Sequence, residues 1–154
     1  MTANSISKAA KPNPVLEPLS ILTGEWVTTG KHPLLSNITV HGHASFDWLE
    51  NGAFMIMHAS IEEKEFVDGI AIFGSDDSIE NYSMLYYDEL GVLRLYTSTL
   101  EDNTWKWWRN DAEFAQHFTG EIKNNGNTIV FKGEMSRDGG EWEKDLEFTY
   151  PRIR

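Results

Sequence analysis

Residues 114–150, FAQHFTGEIKNNGNTIVFKGEMSRDGGEWEKDLEFTY, decide the architecture. Three runs of alternating apolar and polar residues are separated by Asn125-Gly126 and by Asp138-Gly139-Gly140. Asn-Gly between alternating runs is the strongest short-range hairpin signal. In the last run Trp142, Leu146, Phe148 and Tyr150 alternate with Glu143, Asp145, Glu147 and Thr149. One face is therefore expected to be buried and the other wet. Folding back around 138–140 sets Met135 opposite Trp142, Phe131 opposite Leu146 and Ile129 opposite Phe148. The Asn125-Gly126 turn pairs Ile122 with Ile129 and Phe118 with Gly133. All of these fall on one face, as cross-strand neighbours must. Continuing back through 110–113 sets Gln116 beside Trp107 and Phe118 beside Trp105. One interior face then carries Trp105, Trp107, Arg109, Phe114, Gln116, Phe118, Ile129, Phe131, Leu146 and Phe148.

The same grammar extends toward the N-terminus. Asn51-Gly52, 88–91 and Asp102-Asn103 are further turn signals. Strands are expected near 25–32, 43–50, 53–62, 69–75, 81–88, 92–100, 104–109, 114–123, 128–136 and 141–150. About ten sequential antiparallel strands with hairpin-length loops close most simply into an up-and-down barrel, so the fold class is all-β. Asn13-Pro14 reads as a helix start, and Pro18 keeps that helix short. It forms an N-terminal plug ahead of the first strand. Residues 1–13 read as a disordered tail and 14–154 as one barrel domain.

Composition limits the function. Of 154 residues, 24 are acidic and 13 basic, a net charge of −11. So acidic a chain repels phosphate backbones and anionic bilayers, which excludes nucleic-acid and membrane-surface partners. There is no cysteine, so thiolate and disulfide chemistry are excluded. The first residues lack the apolar core of a secretory signal, and a cytoplasmic location is expected.

Leu22-Thr23-Gly24-Glu25-Trp26, a short helix running into Gly-x-Trp on the first strand, resembles the opening of lipocalins and their calycin relatives. Residues 42–52, GHASFDWLENG, resemble the second strand of a bacterial family of uncharacterised lipocalin-like proteins. The resemblance covers 16–150 in pattern and implies that Trp26 packs at the closed end of the barrel. The strand count is similar to the fatty-acid-binding and nitrobindin branches. Nitrobindin-like proteins hold haem through a late histidine. The last histidine here, His117, falls on an outward position, and no cofactor is expected.

The candidate ligand-binding set is Tyr87, Arg94, Tyr96, Trp107, Arg109, Gln116 and Phe118. A two-residue turn at Asp102-Asn103 pairs Ser98 with Trp107 and Tyr96 with Arg109. Arg94, and Tyr87 across the preceding hairpin, join that face. Two guanidiniums and a phenol in an apolar cavity suit a carboxylate, because arginine donates bidentately. Fatty-acid-binding proteins use an arrangement that this resembles in kind. A one-residue shift in the turn would instead bring Leu93, Leu95 and Thr97 inside, and that register stays open.

Other constellations are weaker. His41-x-His43, with His32 near, has two imidazoles on one face but no completing ligand, so no metal is expected. His58 and Asp47 share an outward face with Ser45, and no nucleophile motif accompanies them. Trp105, Trp107 and Trp108 read as core packing rather than a stacking platform. The strand 53–62 is apolar on both faces, with Phe54 and Ile56 on one and Met55 and Met57 on the other. That suggests an outer wall covered by a second copy, a homodimer. Loops carrying Glu62, Glu63, Glu65, Asp68, Asp88, Glu89, Asp111, Glu113 and Asp138 should gather at one strongly negative mouth. The expected function is binding of a small, mostly apolar molecule with a polar or weakly acidic group. The alternative is an isomerase, cyclase or hydrolase using the same cavity.

Overall fold

A computed structural model describes residues 13–35, 37–75 and 81–154. Of the expected tail, residues 1–13, all but Asn13 lie outside them. A 3-10 helix at Pro14–Leu22 is followed by β1 (Gly24–Lys31), β2 (Val40–Leu49), β3 (Phe54–Ile61), β4 (Gly69–Ser75) and β5 (Tyr82–Asp88). Then come β6 (Leu93–Glu101), β7 (Thr104–Asn110), β8 (Phe114–Lys123), β9 (Thr128–Arg137) and β10 (Glu143–Pro151). Each strand pairs antiparallel with the next, and β1 pairs with β10, so the sheet closes into a barrel. Closure leaves no unpaired edge. No helix is long and apolar enough to cross a membrane among the described residues.

Local chemistry fixes the turns. Asp102 and Asn103 both take positive φ, 50° and 60°, as a two-residue hairpin turn requires. Ser98 consequently faces Trp107 as expected. The Asn125-Gly126 turn gives Ile122↔Ile129 and Phe118↔Gly133, also as expected. At 111–113 the Asp111 carboxylate accepts N–H bonds from Glu113 and Phe114. That Asx turn sits one residue further along the chain than expected, so Trp107 faces Phe118 and Arg109 faces Gln116, two residues along from the expected register. A shift of two leaves the inward set unchanged.

The last hairpin corrects the sequence reading more deeply. Glu143, not Trp142, faces Met135, and a bulge between Lys144 and Glu147 moves the register once more. Phe148 therefore faces Phe131, and Tyr150 faces Ile129. The two one-residue changes again sum to an even shift, so Phe148 stays inside. Trp142 falls outside the strand, partly exposed, with its ring stacked on His117 at 4.2 Å. The bulge turns Asp145, expected on the wet face, into the barrel, where it is 4% exposed.

The closed end is built on Trp26. Leu16, Leu19 and Leu22 of the 3-10 helix are fully buried beneath the strands. Asn13 belongs to the cap rather than to a tail: its side chain accepts from Val15 N–H and donates to Ser75, and its N–H donates to Gly52. Arg152 lies over the Trp26 ring at 4.1 Å and donates to the carbonyls of Ile21 (2.5 Å), Gly126 (2.9 Å) and Thr23. Trp26 Nε1 donates to Leu22 O at 2.9 Å. One guanidinium thus joins the helix end, the first strand, the last strand and the β8–β9 turn. Replacing Arg152 with Met should lower stability by roughly 2–4 kcal/mol, given a desolvated cation–π contact and hydrogen bonds from a charged donor. Urea midpoints measure this, with an unchanged slope confirming that only stability moved. A midpoint equal to wild type would mean that the latch is incidental.

Candidate functional site

Aromatic packing fills the barrel only partway. Phe46, Phe73 and Trp105 meet at 5.7–6.5 Å between centroids, and Phe131 packs on Trp105 at 5.2 Å. Trp105 Nε1 donates to the buried Ser98 hydroxyl at 3.0 Å, so the indole is held without an orphan donor. Above this layer a cavity of about 230 Å³ remains. Its walls include Met57, Met84, Tyr86, Trp107, Phe118, Phe148 and Tyr150, and Phe66 and Val67 of the 62–68 loop hang over it. Trp107 stacks on Phe118 at 5.0 Å and 14°. Gly120 and Gly133 make this wall thin. A Cβ on either would meet the Phe131 or Phe118 ring at 2.4–2.5 Å, so each ring lies flat against the facing strand.

The polar groups converge on one side. Tyr96 donates to Gln116 Oε1 at 2.5 Å, and Gln116 Nε2 donates to Asp145 Oδ2 at 2.9 Å. Asp145 Oδ1 accepts the Leu146 N–H at 2.8 Å and lies 3.6 Å from His32 Nε2. His32 Nδ1 accepts the Leu34 N–H at 3.1 Å. Arg94 lines the cavity beside Tyr96. Burial raises the Tyr96 phenol above its ordinary value, opposed by the attraction of Arg94 and Arg109. Tyr86 is pushed up to about 12, first by burial and then by Asp88. Burial raises Tyr150 as well. At neutral pH these phenols are neutral donors.

Of the expected site residues, Arg94, Tyr96, Trp107, Gln116 and Phe118 line this cavity. The structure therefore resolves the open register of strand 92–100: Arg94 and Tyr96 point inward, while Leu93 and Leu95 lie exposed outside. Tyr87 does not belong to the cavity. The loop 89–91 has three residues with Gly91 at φ 82°, and it pairs Tyr86 with Arg94 and Tyr87 with Leu93. Tyr86 is the inward tyrosine, and Tyr87 lies on the outer wall. Arg109 points inward but sits at the mouth, 3.6 Å from Asp111. Its Nε is buried and lacks a hydrogen-bond partner. β6 and β7 pair only from Thr97↔Trp108 to Glu101↔Thr104, so a slot lined by Arg94, Arg109, Leu95 and Asp111 opens between them.

Sequence reasoning missed Tyr86, Tyr150, Asp145 and His32 as site residues. Gly91 was the available signal for Tyr86. Nothing distinguishes Asp145 from its acidic neighbours before the bulge is known. The histidine grouping also differs from the expected one. His32 joins Asp145, while His41 pairs with Glu63 at 2.7 Å, with Glu62 near. Hydrogen bonding to Glu63 raises His41, and Glu63 is lowered, first by the His41 backbone N–H. This group is exposed and outside the cavity. His58 pairs with Ser45 in the same outer wall, where a wider open groove of about 800 Å³ also carries His43, Ser60 and Tyr87. That groove is shallow and has no converging donors comparable to Arg94, Tyr96 and Gln116.

Two solved structures share this architecture. Rv2717c from M. tuberculosis superposes with a TM-score of 0.67 over 92% of this chain and 98% of its own, at 14% identity. The S-type phycobiliprotein lyase CpeS from Guillardia theta gives 0.57 over 100% and 99%, at 10% identity. At such identities the likeness is one of fold, and the ten-stranded barrel fits the calycin-like lipocalin architecture. No protein-family model and no curated protein sequence matches the chain.

The raised phenols make a pH prediction. A tyrosine that holds its proton more tightly when folded stabilises the fold fully below the unfolded value near 10, and that stability is lost as pH rises through the folded value. Urea midpoints should therefore fall between about pH 10 and 12, and Tyr86→Phe should lessen the fall. Tyrosinate absorbance should show fewer than the chain's five phenols titrating together. Five phenols titrating as one near the ordinary value would refute the buried placement.

Proposed function

We propose that the barrel binds one small, mostly apolar molecule by its acidic group. The observation that carries this reading is the convergence of Arg94 and Tyr96 in a cavity otherwise walled by aromatic and aliphatic side chains. Few placed polar groups in an apolar pocket fix orientation, while the walls supply affinity. A carboxylate beside Arg94 gains bidentate donors, and the neutral Tyr96 phenol lies next to it. The body of the ligand rests on Trp107 and Phe118. The enzymatic alternative has less support. His32 Nδ1 accepts the Leu34 N–H, its Nε2 lies 3.6 Å from Asp145, and neither residue is among those lining the cavity.

Native mass spectrometry of the purified protein and displacement of a fluorescent fatty-acid probe test the reading. Arg94→Ala should weaken probe binding by roughly tenfold, the scale of one hydrogen bond to a charged group. Arg109→Ala should matter less, because Arg109 sits at the mouth beside Asp111. Equal affinities for wild type and Arg94→Ala, or tight binding of a cationic molecule instead, would place recognition elsewhere.

A separate observation favours self-association through the outer wall. Ile56, Ile72, Leu85 and Leu95 form one outward rung across β3–β6, and His58, Ile70, Tyr87 and Leu93 form the next. Leu93 and Leu95 are more than half exposed. Neither rung carries a carboxylate. In a chain of net charge −11, these rungs offer a second copy an apolar strip, bordered by Asp47 on β2 and by Asp68, Asp88 and Glu89 at the loops. Phe54, expected in this contact, packs instead against the core at the closed end. Leu95→Glu should shift sedimentation from dimer to monomer at micromolar concentration while leaving probe binding intact. A wild-type monomer would end this reading.

A further inference from the structure

Phe114 points inward at the mouth, and three guanidiniums gather round its ring. Arg94, Arg137 and Arg109 lie 5.1, 5.2 and 5.9 Å from its centroid. The register explains the convergence: Phe114 faces Arg137 across β8 and β9, while Arg109 and Arg94 arrive on β7 and β6. The chain has only 13 basic residues against 24 acidic ones. Of the three arginines, Arg109 alone has a carboxylate within ion-pair distance among the described residues, Asp111 at 3.6 Å. Arg109 Nε is also the one buried side-chain polar atom lacking a partner among those residues. Like charges repel, and a buried donor left unpaired is costly. Both features are relieved by an anion. Among the described residues, Arg94 and Arg137 have no carboxylate within ion-pair distance to offset this repulsion.

Resting on the pocket reading above, we propose that Arg94, Arg109 and Arg137 form a site for a doubly charged head group, a phosphate monoester, on a ligand whose apolar body occupies the cavity. Arg94 reaches the head from inside the cavity, and the slot between β6 and β7 brings Arg109 to it. Arg137 closes the set from the rim. A phosphate offers three acceptor oxygens, enough for several guanidiniums at once, where a carboxylate offers two. Arginine serves better than lysine here, because its planar fork both stacks on Phe114 and donates in pairs. The rim loops are acidic, while the inward ends of β6–β9 carry these arginines.

The test compares decyl phosphate with decanoate as displacers of the same fluorescent probe, in wild type and Arg137→Gln. At about pH 8 the phosphate carries close to two charges, its second ionisation lying near 6. It should displace the probe at a concentration roughly tenfold lower than decanoate does, about one charge-assisted hydrogen bond's worth. The preference should shrink at pH 5.5, and Arg137→Gln should bring it within about threefold without changing decanoate binding. Arg137 is exposed, so this variant is expected to unfold at the wild-type urea midpoint, which verifies its fold. Equal displacement by the two compounds in wild type overturns the doubly charged head. A preference that persists undiminished in Arg137→Gln overturns the arginine cluster as its cause. In both cases decanoate binding that depends on Arg94 would leave the pocket reading standing. If neither compound displaces the probe, the pocket reading falls and this inference with it.

Discussion

The contact between Arg152 and Trp26 is the constraint on which the rest of the barrel depends. A closed sheet needs its first and last strands joined, and the β1–β10 ladder is short, with three paired positions from Thr29↔Thr149 to Lys31↔Glu147. Toward the closed end the same register resumes as an isolated bridge, Trp26↔Arg152, with Glu25 exchanging backbone hydrogen bonds with Ile153 and Arg154. There the guanidinium of Arg152 sits on the indole of β1 while its donors hold Thr23, Ile21 and Gly126. The Ile21 and Thr23 carbonyls, at the end of the 3-10 helix, have no intrahelical donors to meet. A charged donor satisfies them and is shielded by the indole at the same time. Burial lowers the Arg152 pKa from its ordinary value, which reflects the cost of placing it there.

A floor fixed in this way determines where the cavity can be. Phe46 and Phe131 pack edge to face on Trp105, with Phe73 tilted against it, and together they fill the lower part of the barrel. Glycines facing Phe118 and Phe131 let those rings lie along the wall rather than across the lumen. The empty volume is thus displaced toward the mouth, next to the loops. Interiors pack to crystal-like density, and the unfilled 230 Å³ beside Arg94 departs from that density, which supports the binding reading.

The strand order, the closure and most of the inward face were legible because side-chain alternation has period two. An error of two residues in register costs nothing in facing, and two of the loops produced such errors. Odd errors were the damaging ones. Gly91 at positive φ makes the β5–β6 loop three residues long, and that single residue exchanges Tyr86 for Tyr87 at the site. The bulge at Asp145 has no local signature in a run of alternating acids, so a buried carboxylate looked like a solvated one. The arginine cluster was half visible. Arg94 and Arg109 followed from the Asp102-Asn103 turn, while Arg137 lay at a strand end where only the Phe114↔Arg137 pairing shows its direction.

Asp145 explains why the arginines stay available. A carboxylate turned into a barrel that also holds inward arginines competes for them if its oxygens are left unpaired. Here its oxygens are already engaged: Oδ2 by Gln116 Nε2, and Oδ1 by the Leu146 N–H with His32 alongside. Gln116 in turn has its own oxygen occupied by Tyr96, so the amide cannot turn its acceptor toward Arg94. Each link uses the acceptor that would otherwise reach a guanidinium. A satisfied network of this kind is rigid, and removing Tyr96 or Gln116 would free an acceptor for the arginines. The polar chain from Tyr96 to His32 therefore holds the cavity's negative charge apart from its positive charge, and the positive charge is what remains for a ligand to meet.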